Sequence, residues 1–196
     1  MKFLIISIAR FLMYCIFPLK VHNKQYFPLG GMIICNHVSM LDPVAAVVLA
    51  KKETLRFVAK EELFQTRFTN WVYRMFGAFP VKRGARDLSA VKECIEVIQS
   101  GSRLCIYPEG TRGKPFGLQP FGTGAAFIAL STNVEVLPMY TTGFRVFRRT
   151  HVFFGEPLRL AAEGRVKINS ALLKEATQQM EEAMRELQKQ ALSVKN

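Results

Sequence analysis

The chain has no C-x-x-C pair among its four cysteines, no long lysine or arginine run, no internal repeat and no linker rich in glycine, proline or serine. Each absence removes a class. Without paired cysteines there is no zinc ribbon and no redox dithiol motif. Cys35 and Cys105 sit inside apolar runs, where a reduced cysteine acts as a small hydrophobe. A reducing compartment with no disulfide framework follows, and no ligand set for a metal is visible. Without a linker or a repeat, the 196 residues read as one domain long enough to bury a real core.

Acidic residues are also scarce, 15 against 27 lysines and arginines, which leaves a net charge of +12. Such a surface favours an anionic partner. No zinc finger or RNP motif accompanies the charge, so the expected partner is an anionic membrane surface and not nucleic acid. The chain is 49% hydrophobic with a mean hydropathy of +0.12.

There is no apolar run of the roughly 20 residues that a spanning helix needs. Residues 3–17 are apolar except for Ser7 and Arg10, and no small-residue cleavage site follows at Pro18-Leu19-Lys20-Val21-His22. Residues 1–18 therefore read as a helix in the membrane interface, with Arg10 reaching out to headgroups. Packing of this helix on the domain's own core is the alternative.

Strand-like runs at 32–35, 56–59, 78–82, 103–107, 134–140 and 151–154 alternate with helix-like stretches at 43–50, 61–76, 87–100, 123–131 and 169–191. Asp42 and Pro43 open the first of these helices, Asp87 opens the third, and Gly101 stops it. This alternation predicts an α/β domain over 19–196, with a mostly parallel central sheet flanked by helices. In such sheets ligands bind beyond the carboxyl ends of the strands.

Two loops there carry chemistry. Asn36-His37-Val38-Ser39-Met40-Leu41-Asp42 follows a buried strand. A neutral imidazole is a base near neutrality, and it works best when a carboxylate holds its other ring nitrogen. On a straight helix residues five apart would not face each other, but on a tight strand-to-helix turn His37 and Asp42 can. A loop histidine bound to backbone beside a plain capping aspartate is the simpler reading. The second loop, Tyr107-Pro108-Glu109-Gly110-Thr111-Arg112, offers a glycine turn, a hydroxyl and a planar guanidinium suited to an anion. A surface Glu–Arg pair is its simpler reading.

In order, four blocks resemble the 1-acyl-sn-glycerol-3-phosphate acyltransferase family of glycerolipid acyltransferases. They are the His37-x4-Asp42 box, Gly77-Ala78-Phe79-Pro80-Val81-Lys82-Arg83, the Tyr107 to Arg112 loop, and Val136-Leu137-Pro138-Met139-Tyr140. The resemblance covers roughly residues 20–160, and the ordered set is far more specific than any single block. It implies acyl transfer from a thioester to the free hydroxyl of 1-acylglycerol-3-phosphate, giving phosphatidic acid. His37 and Asp42 would be the catalytic pair. Arg83, Glu109, Gly110, Thr111 and Arg112 would hold the acceptor. No cofactor or metal is implied, and the donor would be acyl-CoA or acyl-acyl carrier protein. The expected place is the cytoplasmic face of the cell membrane, as a peripheral or monotopic protein among membrane lipids and its lysophospholipid acceptor. Other headgroups, glycerol-3-phosphate as acceptor, and a non-catalytic lipid binder are the alternatives. The family commonly has Phe-Lys-x-Gly after the third block, and here Gly122 replaces that lysine, with Lys114 the nearby candidate to compensate.

Two further stretches are ambiguous in sequence. Phe64, Phe68, Trp71, Val72, Met75 and Phe76 read as a core-packing helix face, or as a border to an acyl chain or the bilayer. Arg145, Arg148 and Arg149, interleaved with Phe144 and Phe147, read as a solvated loop or as a contact for headgroups or an acidic carrier protein.

Overall fold

The computed structural model describes residues 2–27, 31–50, 55–81, 88–160 and 167–194. Central to it is strand β2 (Met32–Cys35), buried on both faces. Successive side chains of a strand point to opposite faces. Met32 and Ile34 accordingly enter one core layer, and Ile33 and Cys35 enter the other. An uninterrupted apolar run is what a strand covered on both faces requires.

The remaining strands are β1 (Leu19–His22), β3 (Leu55–Lys60), β4 (Ala78–Val81), β5 (Arg103–Ile106), β6 (Val136–Thr141) and β7 (Thr150–Phe154). Their order across the sheet is β1-β7-β6-β2-β5-β3-β4. Strand β2 runs parallel to β5 and to β6, and β3 runs parallel to both β5 and β4. The one reversal is between β6 and β7, after which β1 runs parallel to β7.

Helices α4 (Leu88–Gln99), α5 (Gly124–Thr132) and α6 (Ser170–Ser193) cover one face. Along α6, Ala176, Met180, Met184, Leu187 and Ala191 form a buried stripe at helical spacing. Its start is capped by Asn169, whose side chain accepts from the Leu172 amide. Helices α1 (Lys2–Ile16), α2 (Asp42–Ala50) and α3 (Arg67–Met75) lie on the other face. The parallel α/β architecture expected from the sequence is thus present.

Four features differ from the sequence reading. The stretch 61–76 is not one helix: a 3-10 turn at Glu61–Phe64 ends, and α3 starts afresh after Thr66. Thr66 and Thr69 cap each other reciprocally, which satisfies amides that a continuous helix would have bonded internally. On α3, Phe68 and Trp71 are exposed, so the stretch does not pack wholly into the core. Strand β1 is an added edge strand that apolar patterning did not mark out. Finally, Arg10 does not simply point outward. Its Nε donates to the Val48 carbonyl at 3.1 Å, in the last turn of α2, where carbonyls lack intrahelical donors and a cation is favoured. Asp87 and Lys82, expected at a helix cap and a strand end, lie outside the described residues.

One glycine is fixed by close packing. Gly77, with φ of 92°, turns the chain from α3 into β4 and accepts from the Phe57 amide. A Cβ there would run into the Leu55 carbonyl oxygen. Replacing Gly77 with alanine is therefore expected to destabilise the fold by about 2–4 kcal/mol, read as a shifted urea midpoint with unchanged slope.

Candidate active site

Strands β2, β5 and β6 are parallel neighbours, so the loops after them emerge at one edge of the sheet. His37 follows β2, and its Nδ1 lies 2.9 Å from Asp42 Oδ2. The same Oδ2 accepts from the amides of Val38 at 2.8 Å and Ser39 at 2.7 Å. The carboxylate thus turns back onto the loop and coils it into a turn, which brings a residue five positions away against the imidazole. Asp42 Oδ1 accepts from Thr141 Oγ1 at 3.3 Å, at the end of β6. Asp42 is fully buried, whereas the His37 side chain keeps 19% of its surface exposed. A buried carboxylate is tolerable only when its lone pairs are met in this way. With Nδ1–H donated to Asp42, Nε2 is the basic nitrogen of His37.

Asn36, also fully buried, fixes where this turn begins. Its Nδ2 donates to the Thr141 carbonyl at 2.9 Å, and its Oδ1 accepts from the Thr141 amide at 2.7 Å. The side chain thereby extends the β2–β6 pairing past the end of β2. The Tyr107 ring packs on the imidazole, with centroids 4.5 Å apart.

The second loop is tied to the first through backbone. Glu109 Oε1 accepts from the His37 amide at 3.1 Å, and Oε2 accepts from the Gln119 amide at 3.3 Å. The Gly113 amide donates to the His37 carbonyl at 2.7 Å. Glu109 therefore commits both oxygens to holding the loops. Burial raises its carboxyl above the usual range, against the pull of the two amides. Gly110, with φ of 66°, makes the tight turn. Thr111 Oγ1 donates to Gln119 Oε1 at 3.3 Å, and Arg112 and Lys114 are exposed.

These loops open onto a cavity of about 570 Å³. His37, Tyr107, Gly110, Arg112 and Gly122 line it together with Val58, Leu63, Val91, Cys94, Ala125 and Ile128. His37, Lys60 and Arg112 give it polar groups, and the rest of its lining between β3, β5 and the helices is largely apolar. Lys114 is not among its lining residues, and Arg83 lies outside the described residues. Cys94 and Cys105 also line the cavity, but burial pushes each thiol up to about 12, so both stay protonated and unreactive near neutrality. Among the described residues no three His, Cys, Asp or Glu side chains group as a metal site would require.

Sequence reasoning found His37, Asp42 and the second loop. It missed Thr141, which braces Asp42, and Gln119, which braces Glu109. It quoted Asn36 without giving it a role. An asparagine directly after a fully apolar strand was the available signal, because a buried amide must pair with backbone.

Residues 18–142 match the model of the Acyltransferase family. A 1-acyl-sn-glycerol-3-phosphate acyltransferase of Streptococcus pneumoniae is 31% identical over 150 residues, which are 71% of this chain and 55% of that protein. One from Bacillus subtilis is 29% identical over 150 residues, 72% of this chain and 74% of that protein. The chloroplastic 1-acyl-sn-glycerol-3-phosphate acyltransferase BAT2 of Brassica napus is 33% identical over 112 residues, 56% of this chain and 32% of that protein. The chain thus spans between about a third and just over half of the length of several relatives it matches. The crystal structure of PlsC, a 1-acyl-sn-glycerophosphate acyltransferase from Thermotoga maritima, shares the fold. Its TM-score is 0.71 at 22% identity, over 97% of this chain and 78% of that one.

Two outcomes follow from the hydrogen bonds. Asn36→Ala leaves the Thr141 amide and carbonyl without their side-chain partner in a dry site, and is expected to cost about 2–4 kcal/mol in urea denaturation. For Glu109, the folded-state value lies above the ordinary 4.5. As pH rises from the ordinary value through the folded one, the unfolded chain releases its proton first, and folding becomes less favourable. Glu109→Gln removes that segment, so the difference in stability between variant and wild type should change across the same acidic window and be flat above it.

Proposed function

The chain belongs to the Acyltransferase family, and from that premise we propose that it transfers a fatty acyl group from a thioester to the free hydroxyl of 1-acylglycerol-3-phosphate, forming phosphatidic acid. The observation that carries this reading is the His37–Asp42 pair at 2.9 Å, whose imidazole lines a mostly apolar cavity. A lipid binder needs an anion site and an apolar pocket. It has no use for a base whose tautomer is fixed by a buried carboxylate.

The chemistry follows from these positions. His37 Nε2 accepts the proton of the acceptor hydroxyl as that oxygen attacks the thioester carbonyl carbon. Asp42 holds the ring through Nδ1 and stabilises the imidazolium that forms. When the tetrahedral intermediate collapses, the carbon–sulfur bond breaks and the leaving thiolate takes the proton from Nε2. The nucleophile is the acceptor itself, so no acyl-enzyme forms. Coenzyme A or acyl carrier protein supplies the thioester as a co-substrate, and no cofactor is consumed.

Acceptor recognition belongs to the second loop. The exposed Arg112 guanidinium lines the cavity beside Gly110, where a planar fork meets a phosphate. Arg83 joins it by its place in the family's second block. Gly122 lines the same cavity in place of the lysine common in the family. Acyl chains take the apolar part. Placement on the cytoplasmic face is part of the proposal; the membrane contact itself is supported by α1, whose Ile8, Phe11, Leu12 and Tyr14 are exposed while Ile6 and Met13 are buried against the domain. No helix among the described residues is long and apolar enough to cross a membrane. A monotopic or peripheral seat fits that geometry.

Purified protein given lysophosphatidic acid with either donor type is expected to form phosphatidic acid. His37→Ala should fold normally and lose roughly 10²–10⁴-fold in kcat. Normal turnover by folded His37→Ala would end the acyltransfer reading. Arg112→Ala should raise KM for the phosphate-bearing acceptor and lower kcat, because a misplaced hydroxyl no longer meets Nε2. Gly122→Lys should lower that KM. A clear wild-type preference for a zwitterionic lysolipid would overturn the acceptor assignment and leave the chemistry standing.

A further inference from the structure

The segment between β6 and β7 carries three exposed arginines, Arg145, Arg148 and Arg149, around Phe147, which is 78% exposed. Val146 beside it is 59% exposed. Phe147 has a φ of 56°, a conformation that bulky residues rarely adopt. What holds it is its own amide, which donates to the Ile16 carbonyl at 2.8 Å, at the C-terminal end of α1. Phe144 meanwhile packs edge-on against Phe17, with centroids 5.7 Å apart. The loop's base is thus fixed to α1, while its aromatic tip and its cations face solvent.

Position gives this arrangement meaning. Strand β6 ends at the same sheet edge as β2, and Gly143 lies against Val38 and Pro115. The loop therefore stands beside the His37 turn and is tied to the end of α1, the helix that exposes Ile8, Phe11, Leu12 and Tyr14. An aromatic tip ringed by three cations, and no acid between residues 142 and 155, fits a surface that is anionic outside and apolar beneath. A bilayer offers the arginines an anionic surface and offers Phe147 and Val146 the apolar layer beneath it.

We propose that residues 143–149 are a second membrane contact, which inserts Phe147 and binds anionic phospholipid headgroups through Arg145, Arg148 and Arg149. Together with α1 it seats the mouth of the cavity on the bilayer. This rests on the reading of the protein as a lipid acyltransferase, but its test does not need turnover.

The test is flotation of the full chain with vesicles of phosphatidylcholine alone, or with part of it replaced by phosphatidylglycerol. Arg145→Gln/Arg148→Gln/Arg149→Gln should lower partition onto the anionic vesicles by about fivefold per arginine, on the order of a hundredfold in all, and leave neutral vesicles nearly unaffected. Phe147→Gly should weaken partition onto both by at least about tenfold. Glycine suits the left-handed backbone at 147, so this variant should melt no lower than wild type. Both variants should turn over a short-chain lysophosphatidic acid, dissolved as monomers, like wild type. Wild-type partition by a folded triple variant, or by Phe147→Gly, overturns the proposal. So does a triple variant whose one defect is a raised KM for acyl carrier protein, since the loop would then be a docking site for an acidic protein. Failure of the wild type itself to acylate the soluble acceptor would instead count against the acyltransferase reading.

Discussion

The site depends on burying one carboxylate. Asp42 has no exposed surface, and a bare carboxylate in that position would cost several kcal/mol even after relaxation. Its oxygens are met by two amides of its own loop, by the Thr141 hydroxyl and by the His37 ring. Those four donors come from two separate strands' ends and one turn. They converge only if β2 and β6 are neighbours and parallel, with Cys35 opposite Met139 as observed. The requirement to satisfy Asp42 therefore links sheet topology to the orientation of the His37 ring.

A second constraint ties the two loops into one unit. Glu109 reaches the His37 amide, and the Gly113 amide reaches the His37 carbonyl, so the peptide groups on both sides of the base are gripped by the loop after β5. The anion-suited residues, Gly110, Thr111 and Arg112, are carried by that same loop. The backbone of that loop is consequently held to His37 by one main-chain bond and one carboxylate, which is the rigidity a reacting geometry needs. Glu109 tolerates a raised carboxyl because the two amides it holds return part of the cost of burial.

What the sequence revealed follows the range of the forces involved. Local signals were legible. The apolar run before His37 marked a strand covered on both faces, Asp42-Pro43 marked a helix start, and Gly101 marked a stop. Parallel strands placed both motif loops at one edge without any side-chain detail. Partners distant in sequence were not legible. Thr141 lies 99 residues from Asp42, and nothing in its neighbourhood distinguishes it from another strand threonine. Arg10 misled because an arginine in an apolar helix serves headgroups or a helix C-terminus equally well, and only the fold brings Val48 to it. The break before α3 was missed because hydrophobic spacing continues across it, although Thr66 and Thr69 carry the cap.

Charge and apolarity also meet in the wall of one cavity. Arg112 on the loop after β5 and Lys60 at the end of β3 both line the cavity, while Val58, Val91, Cys94 and Ile128 supply its apolar wall. On the proposed function a ligand lies with its anionic head at the cations and its aliphatic tail on the apolar wall. Reversing it would place a charge among buried aliphatic groups, at a cost of several kcal/mol. The hydroxyl to be acylated in the proposed reaction lies between head and tail, and His37, Arg112 and the apolar side chains line one cavity. The proposed base therefore shares one cavity with both the cations and the apolar side chains that such a ligand needs.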